Sequence, residues 1–228
     1  MSDAVALEGT DITLSCSASG YPEPTIKWRR EDGRDISIAD PDIDIKRVQI
    51  VLSVSVDEVE GANLEIKRVS RLDMGAFLCM ASNGVAPSVS HRVLLQVNFP
   101  PMLWIPNQLI GVGIGDSTTL ECNGEAYPKS ISYWTNKTGD IIMSDDHYST
   151  TMTEVNSFKT HMMLKILKVR KQDYGVYKCI SKNPLGVTEG QLTLYLLYFF
   201  LFSLAADYHI RLLGKAGGDI RRKHSIPT

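Results

Sequence analysis

The chain has 228 residues, 43% of them apolar and 22% charged, with a formal net charge of -2 and a pI near 6.2. That length holds two domains of about 100 residues each, and the near-neutral balance removes any electrostatic reason to expect a nucleic-acid partner. Four cysteines with no CxxC pair and no histidine at metal-ligand spacing argue against zinc and thioredoxin chemistry.

The first residues, MSDAVALEGT, contain neither a basic n-region nor an apolar h-region, so no signal peptide is legible. In DITLSC, Ile12, Leu14 and Cys16 alternate with polar residues, which is the period-2 pattern of a half-buried strand. Further on, in VQIVLSVSVDEVEG, the residues Val48, Ile50, Leu52, Val54 and Val56 alternate in the same way. This segment is expected to form an extended D strand or a D–E hairpin. The other reading is a partner-binding edge, because a long uncharged β-branched strand invites pairing if exposed.

QVNFPPMLWIP joins the two halves through Pro100 and Pro101 with no Gly/Ser spacer, which predicts a stiff connection. Met102 and Trp104 follow, expected either to pack the joint or to form an exposed hot spot. GVGIG at 111–115 is glycine-rich but sits before a strand, not between a strand and a helix, which is the wrong place for a phosphate loop. Asn136 opens NKT, the one N-x-[ST] sequon, and is a candidate surface glycosylation site. His147 and His161 could be neighbours, although solvated polar residues are the ordinary explanation. No GxSxG, HExxH or other catalytic constellation is present, so neither an enzyme, a cofactor nor a small-molecule substrate is expected.

The chain is an internal repeat. EGTDITLSCSASGYPEPTIKW lies over IGDSTTLECNGEAYPKSISYW, with Trp28 and Trp134 each 12 residues after Cys16 and Cys122. LEIKRVSRLDMGAFLC lies over LKILKVRKQDYGVYKC without a gap, ending at Cys79 and Cys179. Short strands in two matching halves, each with a Cys-Trp-Cys set, argue for paired β-sandwiches.

These residues resemble two immunoglobulin domains. The resemblance implies an all-β chain: tandem I-set sandwiches in an extended rod, at 1–98 and 99–195, followed by an apolar-then-basic tail at 196–228. It implies disulfides Cys16–Cys79 and Cys122–Cys179, each crossing the core against Trp28 or Trp134. It also makes Tyr177, two before Cys179, a tyrosine corner. Phe77 holds that place in the first copy, so that corner is expected to rest on packing alone and to be weaker.

The joint together with CNGEAYPKSISYWTNKTGDII and KNPLGVTEGQLTLY is similar to domains two and three of the insect Dpr-interacting proteins, relatives of lachesin and the vertebrate IgLON proteins. That resemblance implies a neuronal cell-surface adhesion protein at the plasma membrane. Its partners would be other immunoglobulin-superfamily proteins, Dpr-like or homophilic, bound through an outermost domain absent here, which leaves this chain as the stalk. The alternative is a structural I-set array or cell-junction component with no direct recognition role.

The tail begins with only 11 free apolar residues, Leu196 to Ala206, too short as a helix for a hydrocarbon core of about 30 Å. It is expected to be a poorly ordered alternative C-terminus or a marginal membrane segment. The chain is expected to be cut at both ends.

Overall fold

A computed structural model describes residues 2–39 and 53–197. The first half contains β1 (Ser2–Leu7), β2 (Ile12–Ser15), β3 (Thr25–Arg30), β4 (Ile36–Ala39), β5 (Ser53–Val56), β6 (Val59–Glu60), β7 (Asn63–Ile66) and β8 (Gly75–Ser82). β9 (Val89–Trp104) runs through the junction, followed by β10 (Leu109–Val112), β11 (Thr118–Tyr127), β12 (Ile131–Thr135), β13 (Tyr148–Glu154), β14 (Lys159–Ile166), β15 (Gly175–Asn183) and β16 (Gly186–Leu196). The only helices among the described residues are two 3₁₀ turns, Arg71–Asp73 and Lys171–Asp173, at equivalent places in the repeat.

Each half is a sandwich of mainly antiparallel sheets. In domain 1, β2 pairs with β7 and faces the sheet β6-β3-β8-β9, with β1 parallel to β9. In domain 2, β13-β14-β11-β9 faces β10-β16-β15-β12. β9 therefore belongs to both domains, and one strand carries the chain from the first core into the second. From Val93 onward it alternates across the junction: Val93, Leu95, Val97 and Phe99 are buried, and Pro101 keeps the same phase on entering domain 2.

The two cores are separate and built alike. Trp28 and Trp134 are buried and pair in register with Cys79 and Cys179, and disulfides join Cys16 to Cys79 and Cys122 to Cys179. Leu14, Leu64, Ile66, Val69 and Phe77 close the first core; Leu120, Leu164, Ile166, Val169 and Tyr177 close the second. The apolar residues of DITLSC and THMMLKI thus reach the interior at every second position.

The turn before the second cysteine is held differently in the two copies. Tyr177 donates its hydroxyl hydrogen to Asp173 O at 2.8 Å. Phe77 does not leave its corner to packing alone, contrary to expectation. Arg30 lies over the Phe77 ring at 5.0 Å, and its Nη1 and Nη2 donate to Asp73 O and Met74 O at 3.0 and 2.9 Å. Asp73 O is the repeat equivalent of Asp173 O, so a guanidinium from β3 replaces the missing phenol. Gly75 makes room, since a Cβ there would stand 2.8 Å from Arg30 Nη2 and its φ of 137° favours glycine in any case. Hydrogen bonds from Arg30 hold the Asp32 carboxyl well below the usual carboxylate range.

Tyr177→Phe is expected to cost about 1 kcal/mol, the net value of one buried hydrogen bond. Arg30→Leu, which strands the Asp73 and Met74 carbonyls while Asp32 keeps Arg34, is expected to cost about 2 kcal/mol. Urea unfolding of the two variants checks the order.

β5 pairs with β4, Ile36 opposite Val56, and not with β7. Val54 and Val56 therefore belong to a separate two-stranded ribbon, where an extended D strand or a D–E hairpin was expected. Val48, Ile50 and Leu52 lie outside the described residues, as does the tail beyond residue 197.

Candidate functional site

The feature with the most non-repeating chemistry is the joint between the domains. Pro100 and Pro101 have no N–H to offer a ladder. β9 meets β11 with Phe99 opposite Tyr127 and Met102 opposite Glu125, and the register shifts between Glu125 and Tyr127. The prolines sit in that bulge, where the pairing does not require their donors. The hairpin of β15 and β16 closes over them. Asn183 Nδ2 donates to Phe99 O and Pro128 O at 3.0 and 3.1 Å, and Thr188 Oγ1 donates to Pro101 O at 2.6 Å.

Arg71, from the first 3₁₀ turn, ties the domains together. Its backbone N–H and Nε donate to Glu8 Oε1, its Nη2 donates to Glu8 Oε2 at 2.6 Å, and its Nη1 donates to Glu125 Oε2 at 2.5 Å. Lys159 Nζ adds a 3.1 Å ion pair to Glu125 Oε1. The guanidinium lies 4.0 Å above the Phe99 ring, which meets Phe158 edge-on at 5.9 Å. Arg71 and Glu125 are largely buried, so this pairing is less screened than a surface bridge. The hydrogen bond from Arg71 holds the Glu8 carboxyl below the usual glutamate range. For Glu125, burial pushes the carboxyl up, but Arg71 and Lys159 together outweigh it and the net direction is down. A cleft of about 440 Å³ opens beside this cage, walled by Arg71, Leu72, Gln96, Tyr127, Phe158 and Lys159.

The sequence alignment of the two copies contains a signal for this cage that periodicity does not. Glu8 stands over Ile114 and Glu125 stands under Ser19, so both carboxylates occur in one copy only. Charges unique to facing ends of a repeat are candidates for the contact between its units.

Met102 is 51% exposed and its Sδ lies 3.1 Å from Arg71 Nη2, on the rim of the joint. Trp104 is 46% exposed, on the outer face of β9 opposite Asn123. Asn136 sits in the turn after β12, where its Oδ1 accepts from Thr138 N, Thr138 Oγ1 and Asp140 N, and its Nδ2 donates to Asp140 Oδ2 at 3.3 Å. Asn136→Gln, expressed in a secreting eukaryotic cell, is expected to lower the mass by one glycan as seen by gel and mass spectrometry. An unchanged mass would remove the site.

His147 and His161 are not brought together. His161 lies opposite Thr153, whereas His147 precedes β13 and its Nε2 meets Asp173 Oδ2 at 2.9 Å. Gly113 and Gly115 lie in the turn between β10 and β11, with no helix following. Among the described residues no cluster of three or more His, Cys, Asp or Glu is placed to hold a metal, and no helix is long and apolar enough to cross a membrane.

The family described as immunoglobulin domain matches residues 1–83 and 100–183. Lachesin of Drosophila melanogaster is 31% identical over 191 residues, 84% of this chain and 48% of that protein. The limbic system-associated membrane protein of Gallus gallus is 30% identical over 196 residues, 85% of this chain and 50% of that protein. The chain thus spans about half the length of the curated relatives it matches. A crystal structure of Dpr2 Ig1-Ig2 in complex with DIP-Theta Ig1-Ig3 contains a chain 44% identical to this one, with a TM-score of 0.77 over 86% of this chain and 62% of that chain. A titin fragment, A168169, superposes with a TM-score of 0.60 at 19% identity, which speaks to the fold alone.

Proposed function

The chain belongs to the immunoglobulin-domain family, a non-enzymatic family of binding and adhesion modules, and from that premise we propose that it is the stalk of a neuronal cell-surface recognition protein. In this reading the two domains hold a partner-binding domain away from the membrane. Its partners are other immunoglobulin-superfamily proteins, Dpr-like or a second copy, and selective synaptic contact is the outcome. The location is the extracellular face of the plasma membrane, in keeping with two disulfides.

The observation that carries the reading is the locked joint. A stalk must transmit position, and here a shared strand, two prolines in a bulge and the Glu8–Arg71–Glu125 cage restrain the same hinge. The likeness to the Dpr2–DIP-Theta complex supports the same view, since 62% of a chain is close to the share that two of three equal domains occupy. Tyr21 adds support. Its repeat equivalent, Tyr127, is half-buried at the joint, whereas Tyr21 is 98% exposed at the matching end of domain 1. An aromatic so placed suits a further domain docking there as domain 2 docks on domain 1.

The test is to measure the purified chain against a panel of immunoglobulin-superfamily ectodomains by surface plasmon resonance. Its shape is measured alongside by small-angle scattering. A stalk gives no specific binding and a scattering profile of two domains end to end that is unchanged by salt. Specific binding by these two domains alone would transfer recognition to them, and a salt-dependent compact form would end the stalk reading.

A further inference from the structure

The two copies of the repeat treat the outer edge of their third strand differently. In domain 1 that edge is covered. β6 pairs antiparallel with β3, placing Val59 opposite Trp28 and Glu60 opposite Lys27. Gly61 N–H then donates to Ile26 O at 2.9 Å, and the Trp28 indole Nε1–H donates to Gly61 O at 3.1 Å. The Val59 side chain packs on the first core, and Lys27 pairs with Glu58 and Glu60 on the outside. One short extended segment therefore satisfies the strand edge and the buried indole together.

In domain 2 the equivalent strand, β12, ends its sheet. Ile142 N–H donates to Trp134 O and Thr135 bridges Ile141, but no described strand continues along Ile131, Ser132 and Tyr133. A cleft of about 330 Å³ takes that place, walled by Tyr133, Trp134, Ile141, Met143, Met152 and Met162. Trp134 is 2% exposed, and its Nε1–H is a buried donor without an acceptor. Its counterpart in domain 1 has one. Such a group destabilises the fold until it is paired. Apolar surface is concentrated at the same edge: Ile131 is 75% exposed, Met143 74% and Ile141 57%. Ser132 and Tyr133 stand where Ile26 and Lys27 stand in domain 1, so the edge lacks the lysine that selects acidic residues there.

We propose that the free edge of β12 is a docking site for an extended, uncharged peptide segment of another protein, bound by strand addition. The incoming strand runs antiparallel to β12 and gives an amide N–H to Ser132 O, as Gly61 gives its own to Ile26 O. An apolar side chain enters the cleft between Ile141, Met143 and Met152, and a carbonyl accepts from Trp134 Nε1. Met143 and Met152 are unbranched and adaptable, which suits a wall that must repack around a guest. The site lies on the β12 edge of domain 2 and stands independently of the stalk reading.

The test uses the ¹⁵N-labelled two-domain chain. The probe is a synthetic peptide copying residues 53–62 with capped ends, with Asp57→Asn, Glu58→Thr and Glu60→Thr so that it carries no charge. Titration is expected to shift the Trp134 indole resonance, leave those of Trp28 and Trp104 in place, and slow exchange at the amides of β12. Met143→Arg, at a mostly exposed position that leaves the fold intact, is expected to weaken binding at least about tenfold. An unmoved Trp134 indole at the peptide's solubility limit overturns the proposal, and so does equal binding by Met143→Arg. A Trp134 shift that follows protein concentration without peptide makes a second copy the occupant and overturns the peptide assignment.

Discussion

Replacing Cys122 and Cys179 together by alanine is expected to destabilise domain 2 by about 4 kcal/mol, from the loss of a loop closed across 57 residues. That is a large share of the roughly 5–15 kcal/mol available to a domain. Both sulfurs lie in the interior against Trp134, so the truncation also leaves a void where the bridge crossed between the sheets. The packing around it has no slack: a Cβ on Gly190 would stand 2.9 Å from Cys179 Sγ and 2.8 Å from Ile105 Cδ1. The matching pair in domain 1, Cys16 and Cys79, closes 63 residues, and the entropic part scarcely differs because it grows only with the logarithm of loop length. Cys16 is half-buried, however, whereas Cys122 is fully buried. Any excess cost in domain 2 therefore measures packing. Urea unfolding of the two double variants, followed by far-UV circular dichroism, separates the two contributions. Equal losses would mean that the buried bridge contributes through chain entropy alone.

Where sequence reading succeeded and where it stopped follows from the range of each interaction. The Cys-Trp-Cys frames and the period-2 strands are local or repeated patterns, and two copies of the same spacing reinforce each other. The Arg30 corner was not legible, because Arg30 reaches carbonyls at residues 73 and 74 and only the register of β3 against β8 brings them together. The missing hydroxyl of Phe77 was visible; the cation that replaces it was not. The pairing of β6 on β3 failed to show for a related reason. Two residues carry no periodicity, and the partner strand lies far earlier in the chain, Trp28 meeting Val59. His147 and His161 looked close in a one-dimensional reading, but the ladder of β13 and β14 offsets them. The Glu8–Arg71–Glu125 cage was accessible in principle, through charges that one copy of the repeat has and the other lacks.

Arg71→Met is expected to uncouple the domains and to cost about 2 kcal/mol. A fully buried ion pair broken on one side costs about 3–5 kcal/mol, and the 14–28% side-chain exposure of Glu125, Arg71 and Glu8 calls for a discount from that range. Methionine keeps much of the contact with Phe99 and forfeits the charge, so the loss reports the ion pairs and the cation–π contact. Acid reaches the same bonds from the other side. Glu8 and Glu125 both titrate below the ordinary glutamate value of 4.5 in the folded chain. Their contribution is complete above the unfolded value and disappears as pH falls through the lowered folded values. The joint should therefore hold from neutral pH to about pH 4.5 and loosen below it, before the cores open. Distance distributions between labels on the two domains, recorded from pH 7 down to pH 3, are expected to broaden in that acid window. In Arg71→Met they should already be broad at pH 7, with little further change. A parent joint that stays narrow at pH 3 would shift the restraint to the shared strand and its prolines, because β9 carries no titratable group at Phe99–Met102 to release.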